Sequence, residues 1–481
     1  MENLTSLIHL FVTIFLSGFA NFMGVPAITD VTMMALCPGQ DECSLAIYLT
    51  GFQQAIIGLG AMIITPLIGN LSDEYGRKAL LTFPMTVSII PLVILAYSME
   101  TNFFYAYFVI RTLTAMVSEG STNCLALAYV ADKIPDVNRA SAFGILGGVA
   151  SAAFVCGTLA ARFLSTTSTF QVSAFMSILA VVYMRIFLKE SLPNGDDIRQ
   201  PILKGEQDVI RSDSDLENTR QVFKRIPSVG DLIFLTKNSV PFSQAALVSF
   251  FNSLAEGGLL ASLLYFLKAR FHFSKNQYAD LLLILGVAGT ISQLLFMPML
   301  APIIGEEKLL SIGLLMGCVN MFLNSIAWSA WVKFPQPTCM LLISLLQNLN
   351  DTLHNLVIIY TFLFPLNYYL DKVPYATPVF SIFTVLVQPS IRSIASKQVG
   401  PNEQGKAQGC ISGISSFANI ISPLMFSPLT ALFLSEGAPF KFPGFSIMCA
   451  GFTMMIACIQ SIMIKAVPSS HKTGNNHSLE A

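Results

Sequence analysis

The feature that most limits this chain is a series of apolar runs, each long enough to cross a bilayer as a helix. A spanning helix needs about 20 mostly apolar residues. Such runs fall at roughly 6–28, 45–68, 80–99, 103–131, 140–163 and 168–188, and again at 240–267, 278–303, 309–332, 375–395, 407–434 and 445–467. In hydrocarbon each backbone N–H and C=O must be paired within its own segment, so runs of this length fold as helices. Six runs, a gap and six runs predict an all-α polytopic membrane protein with twelve core transmembrane helices in two bundles. Composition agrees: 53% of residues are hydrophobic and 11% charged, whereas soluble domains carry about 25% charged residues. A soluble enzyme and a largely disordered chain are both excluded. A formal net charge of -1 gives no field to attract nucleic acid.

The gap between the two series holds 17 of the chain's 55 charged residues, from Lys189 to Lys237. Such a stretch cannot build a core and reads as a solvated linker. The expected organisation is a six-helix half at 1–188, a charged linker at 189–237, a second half at 238–467 and a tail at 468–481. Lys and Arg concentrate in loops on the cytosolic side. Arg77, Lys78, Lys133, Arg139, Lys308, Lys397 and Lys406 follow even-numbered runs, and the loops after the first and third runs hold none. Both termini and the linker are therefore expected in the cytosol, with Lys268, Arg270 and Lys275 as a local exception. No cleavable signal pattern is expected at the start of the chain.

The halves read as copies. Pro66-Leu67-Ile68-Gly69 is echoed by Pro302-Ile303-Ile304-Gly305, and Arg139–Gly144 by Gln404–Gly409. Internal repeats of this kind are common in transporter folds. Gly69 to Gly144 is 75 residues, whereas Gly305 to Gly409 is 104. The surplus falls at 334–373, which is read as an insertion between the ninth and tenth helices, either a later addition or a retained intron. One added crossing would invert everything after it, so the insertion should cross twice, re-enter or lie on the outer surface.

The loop after the second run reads Gly69-Asn70-Leu71-Ser72-Asp73-Glu74-Tyr75-Gly76-Arg77-Lys78. Glycine at 69 and 76 permits a tight turn. Asp73 can pair with Arg77 and can face the N-terminus of a helix in the other half. The stretch resembles the loop signature of the major facilitator superfamily, G-x-L-x-D-x-x-G-R-[RK], at all six defined positions. The resemblance implies the two-bundle fold of that family and a conformational latch at Gly69, Asp73, Gly76, Arg77 and Lys78. A plain helix cap and topology anchor is the alternative. Ala128–Asp132 with Arg139-Ala140, and Gly405–Gly409 with Ser422-Pro423-Leu424, resemble tetracycline-efflux-type transporters and the hippocampus-abundant-transcript-like family in its plant form. The Gly-Pro-x-x-Gly-Gly of many proton-driven drug exporters is replaced by Gly157–Arg162, so drug antiport is not carried across. Gly144, Gly148 and Gly157 still offer a small-residue face for close packing.

Charges inside the membrane usually line a polar path and have a partner. Arg111 matches the superfamily's fourth-helix arginine, and the resemblance implies a role in proton or substrate coupling; pairing with carbonyls is the alternative. Glu119 follows eight residues later, about 12 Å along an unbroken helix and too far for a direct pair. It is a candidate proton carrier or a simple ion-pair partner. Glu256 is the other proton-site candidate, and Gly257 and Gly258 after it suggest a broken helix; service to Lys268 or Arg270 is its alternative. Asn21, Gln244, Asn252 and Gln388 are substrate-cavity candidates or interhelical glue. Cys37 and Cys43 share an outer loop and are a disulfide candidate or two free thiols. Five scattered histidines give no metal spacing, and no cofactor motif is present.

The sequence therefore predicts a membrane-embedded monomer. It carries a small organic solute by alternating access, with protons as the expected driver. A transporter-like receptor or accessory protein that moves nothing is the alternative. No catalytic motif supports an enzyme.

Overall fold

Each apolar run carries helix over the residues that the structure, a computed structural model, describes: 2–37, 44–191, 239–271, 275–326, 378–435 and 437–464. The first half is α1 (Glu2–Leu36), α2 (Ser44–Tyr75), α3 (pieces Arg77–Val87 and Ile89–Tyr97), α4 (pieces Thr101–Ser118 and Ser121–Lys133), α5 (Arg139–Phe163) and α6 (Thr166–Phe187). The second half is α7 (Val240–Phe271), α8, α9 (Glu306–Ile326), α10 (pieces Pro378–Thr384 and Val387–Ser396), α11 (Gln404–Leu434) and α12 (Phe445–Ile462). Helix α8 runs from Lys275–Ile291 through a π-helical segment, Ser292–Phe296, into Met297–Ile304. Among the described residues, ten of the twelve are long and apolar enough to cross a membrane; α4 and α10, each in two pieces, are the two that are not among them. No strand occurs among the described residues. The insertion at 334–373, most of the linker at 189–237 and the tail at 468–481 lie outside them.

Packing follows from where small and large side chains fall. In the first half α1 lies against α5 and α6; in the second, α7 lies against α11 and α12. Leu10, Leu81, Tyr129 and Phe143 anchor one core, and Phe242, Leu310, Ile391 and Met454 the other. Large apolar side chains such as Ile63, Phe175, Leu424 and Ile462 face outward, which suits a lipid solvent. The halves meet along two seams, α2 with α11 and α5 with α8, which the repeat exchanges. Glycines set the closeness of both. A Cβ at Gly69 would collide with the carbonyl of Gly405, and one at Gly148 would meet the Leu294 side chain at 2.6 Å.

The repeat is visible in the turns. Gly76, at φ +93°, ends α2 and begins α3; Gly305, at φ +87°, ends α8 and begins α9. A 3₁₀ turn, Asp136–Asn138, leads into α5, and another, Pro401–Glu403, leads into α11. This corrects the sequence alignment of the halves. Gly305 corresponds to Gly76, not to Gly69, because Gly69 lies inside α2 and turns nothing. Gly76 to Gly144 is 68 residues and Gly305 to Gly409 is 104, so the surplus is 36, close to the whole length of the proposed insertion.

Gly257 and Gly258 do not break a helix, since α7 is continuous across them. They admit a close neighbour instead: a Cβ at Gly257 would meet Ser422 Oγ at 2.8 Å, and one at Gly258 the Phe426 ring at 2.6 Å. The helix that does break is α4. Glu119 takes extended backbone and Gly120 sits at φ +86°.

With ψ of 147° and 149° at Gly76 and Gly305, both turns occupy a region that only glycine enters readily, and a side chain there costs about 1–3 kcal/mol. Gly305→Ala meets nothing nearer than 3.6 Å, whereas Gly76→Ala drives a Cβ to 2.7 Å from Glu190. Thermal unfolding in detergent should show Gly76→Ala as clearly the more destabilising of the two. Equal losses would refute the role given to Glu190 below.

Candidate functional site: a latch between the halves and the charges behind it

At the end of α2, Asp73 reaches across the seam to the first turn of α11. Its two carboxylate oxygens accept from the backbone N–H of Gly405 and of Lys406, each at 2.9 Å. Those donors are orphans of the helix start, where the macrodipole also favours negative charge. Arg77 stands behind Asp73 and is fully buried. Its Nε and Nη2 edge holds Asp132 at 2.9 and 3.4 Å, while Nη2 also pairs with Asp73 and Nη1 donates to Ser72 Oγ. One guanidinium thus serves two carboxylates. Closeness is what permits this, since Gly69 and Gly405 bring α2 and α11 to backbone contact.

Glu190 completes the cluster. It accepts from the backbone N–H of Arg77 at 2.7 Å and of Lys78 at 3.0 Å, capping the start of α3. Tyr129 donates to the carbonyl of Lys189 at 2.7 Å, and Ser191 to Asp132 at 2.8 Å. Residues 189–191, which composition assigns to the solvated linker, therefore belong to the first half. Averaging charge over a long window hides three residues that fold.

The second half repeats this geometry with the charges reversed. Arg77 follows Gly76 as Glu306 follows Gly305, and Asp132 precedes Arg139 by seven as Lys397 precedes Gln404. Glu306 pairs with Lys397 where Arg77 pairs with Asp132. At the start of α5 the only carboxylate is local: Asp136 pairs with Arg139 at 2.6 Å. Arg139 itself reaches the other half through Nη1, which donates to the Ser396 carbonyl at 3.4 Å. The α5–α8 seam carries Gln293, which donates to the Val385 carbonyl at 3.1 Å and accepts from Ser151 at 3.3 Å. Arg162 and Asp280 also join the halves, at 2.8 Å.

Arg111 and Glu119 form an ion pair at 2.7 Å, which overturns the expectation that they are too far apart. That distance assumed a continuous helix and ignored side-chain reach. The helix stops at Ser118, and two long side chains span the rest. Glu256 makes no ion pair among the described residues, with Lys268, Arg270 or any other base. It lines a cavity of about 130 Å³ with Asn320, Asn324, Ser381 and Thr384, inside the second half. Asn252, one turn earlier, is fully buried, faces Glu256, and has no partner at hydrogen-bond geometry.

The remaining candidates are not gathered with these. Gln244 donates to the Met463 carbonyl at 3.5 Å, tying α7 to the end of α12. Asn21 and Gln388 are half-buried on α1 and α10. Cys37 is disulfide-bonded; Cys43 lies outside the described residues. Among the described residues no group of three or more His, Cys, Asp or Glu could hold a metal. Sequence reasoning passed over Glu190, Gln293, the Glu306–Lys397 pair and a buried arginine, Arg392. Only the Glu306–Lys397 pair had a readable signal, its register with Arg77 and Asp132.

The profile of the Major Facilitator Superfamily matches residues 10–423. The chain belongs to that superfamily. Among curated members it is 23% identical to the class H tetracycline resistance protein of Pasteurella multocida, over 84% of this chain and 85% of that one. It is 22% identical to human hippocampus abundant transcript-like protein 1, over 81% of this chain but only 65% of the relative's length. Among solved folds, the human organic anion transporter MFSD10 superposes with a TM-score of 0.67 at 16% identity, covering 96% of this chain and 100% of that one. A bacterial homologue of the iron transporter ferroportin in an outward-facing state gives 0.63 at 12% identity, over 95% and 99%. These solved structures share the twelve-helix, two-bundle architecture of the superfamily.

In this facilitator the reversed pair makes a sharp test. Glu306→Lys or Lys397→Glu alone leaves a partly buried charge without its partner, at a cost of about 1–3 kcal/mol. Combining them should restore most of the unfolding temperature. Arg77→Asp with Asp132→Arg should not recover, because Arg77 also holds Asp73 and Ser72. Full recovery in that second pair would show the two clusters to be simple equivalents.

Proposed function

We propose that this facilitator is a secondary active transporter that moves a small organic solute by alternating access, coupled to protons. The observation that carries the reading is the Asp73 carboxylate on the Gly405 and Lys406 N–H groups. A fastener made of a few charge-assisted bonds between two rigid halves is strong enough to favour one state and weak enough to open. Such bonds contribute about 1.5–3 kcal/mol each. Two bundles rocking about a site between them is the general scheme for repeated folds of this kind. Tetracycline resistance and organic-anion transport among the relatives support a small organic solute as cargo.

Three carboxylate and guanidinium groups are proposed to couple protons: Arg111 with Glu119 on α4, and Glu256 beside its cavity. Protonating either acid would release it from its neighbours without moving a base. The latch face and both termini are assigned to the cytosol, the disulfide-bonded Cys37 and its loop-mate Cys43 to the opposite side, and the working unit to a monomer. Gly69, Asp73, Gly76, Arg77 and Lys78 form the latch under this reading. Asn252 and Gln388 are assigned to the solute path, with Asn21 opposite them.

Purified protein in liposomes, given a solute panel and an imposed pH gradient, should show counterflow for at least one solute. Glu119→Gln and Glu256→Gln should each lose most of the gradient-driven uptake while keeping counterflow. Undiminished gradient-driven uptake in both variants removes these acids from the coupling scheme. Ligand binding without flux of any solute would instead identify a transporter-like receptor.

A further inference from the structure

Three arginines are buried among the described residues: Arg77, Arg139 and Arg392. Arginine cannot shed its charge in a protein, and a buried cation without a counter-ion is strongly unfavourable. Two of the three are satisfied on the Nε and Nη2 edge, the side that receives carboxylates as a two-pronged fork. Arg77 presents that edge to Asp132. Arg139 presents it to the carbonyls of Ile134 and Ala131, at 3.2 and 3.0 Å.

Arg392 is different. Its Nη1 donates to Gln408 Oε1 at 3.2 Å and to Ser412 Oγ at 3.1 Å. Gln408 returns a bond to the Arg392 carbonyl at 3.2 Å, which fixes the side chain from α11. Among the described residues the Nε and Nη2 edge donates to no acceptor, and neither nitrogen is sealed from solvent. Among the described residues no acid pairs with it. Like Arg77, the guanidinium is held through Nη1, but no carboxylate among the described residues meets its other edge.

Its place between the halves is equally specific. The Cys124 thiol of α4, in the first half, is close enough to interact electrostatically with Arg392 and contacts the Gly405 carbonyl at 3.8 Å. Gly405 is the residue whose N–H Asp73 holds. Arg392 therefore sits directly behind the latch, at the junction of α4, α10 and α11.

We propose that the free edge of Arg392 binds the carboxylate of the solute, so that the cargo is a small organic anion. This deepens the transport reading and rests on it for the word cargo; the binding site itself does not.

The test uses the purified full-length protein and matched pairs of probes that differ only in charge: benzoate against benzamide, succinate against succinamide, and hippurate against its amide. Titration calorimetry and ligand-induced thermal shift should show at least one carboxylate binding in preference to its amide. Arg392→Gln should weaken that carboxylate about 10- to 100-fold, the loss of one charge-assisted contact, and leave the amide unchanged. Arg392→Lys keeps the charge and loses the fork, so it should weaken the carboxylate by a smaller factor while preserving the preference. That variant decides the matter if Arg392→Gln does not fold. Equal binding of acid and amide, no carboxylate binding, or wild-type carboxylate affinity in either variant overturns the proposal. Liposome flux separates the two readings. Arg392-dependent binding without flux defeats transport and leaves the site, whereas flux of neutral solutes alone, unchanged in Arg392→Gln, defeats the site and leaves transport.

Discussion

One carboxylate between two helix ends organises this molecule. Asp73 accepts two backbone N–H groups from α11 and pairs with Arg77, and Arg77 is the counter-ion of Asp132 as well. With the seam closed, two carboxylates face one guanidinium plus the positive end of a helix dipole, equivalent to roughly half a charge. With the seam open, the helix end departs and the cluster keeps an excess of negative charge that water must solvate. The helix end therefore offsets about half of that excess negative charge, and does so only when the halves are joined. The close glycine contacts at Gly69 and Gly405 follow from the same need, because any side chain there would hold the N–H groups out of reach.

The second seam is built from the same backbone and a different chemistry. Its turn at Gly305, its ion pair of Glu306 with Lys397 and its 3₁₀ lead-in all keep their register with the first half. What the repeat preserves is the position of a pair, not the sign of each member. It does not preserve a carboxylate held on a helix start across the seam, as Asp73 is; the α5–α8 seam has the Arg162–Asp280 pair instead. The α5 start is paired with its own Asp136, and that seam is held by Gln293, the Arg139 contact to Ser396, the exposed Arg162–Asp280 pair and steric fit. The buried charge cluster lies on the α2–α11 side, whereas the Arg162–Asp280 pair of the other seam is exposed and is the one that salt screens more strongly.

Much of the architecture was legible because hydrophobic length and turn chemistry are local. The twelve runs, the break at Gly76 and the register of Arg139 with Gln404 could all be read along the chain. What escaped depends on distance in space. Gly69 reads as a turn residue until α11 is placed against it, and Gly257 and Gly258 read as a break until Ser422 and Phe426 occupy the space beside them. The pairing of Arg111 with Glu119 needed both a helix end and side-chain reach, neither of which periodicity encodes. Glu190 was hidden by its neighbours in composition. Arg392 looked like one basic residue near a helix end, and only its neighbours reveal that no acid answers it.

The two halves also differ in how they carry charge. In the first, the ions named here are matched: Arg111 with Glu119, Arg77 with Asp73 and Asp132. In the second, Glu256 and Arg392 are each without an opposite charge among the described residues, on different helices. Glu256 lies sixteen residues into α7, about 24 Å from its start, whereas Arg392 is four residues from the end of α10. They are staggered in depth and so do not neutralise each other as a contact pair. A half whose charges are already matched gains little from an ion or a charged solute. A half with one unmatched charge of each sign gains from both, and it gains most in the state that excludes water. Of the charges named here, those without a counter-ion among the described residues therefore lie on α7 and α10, and those of the first half are already paired.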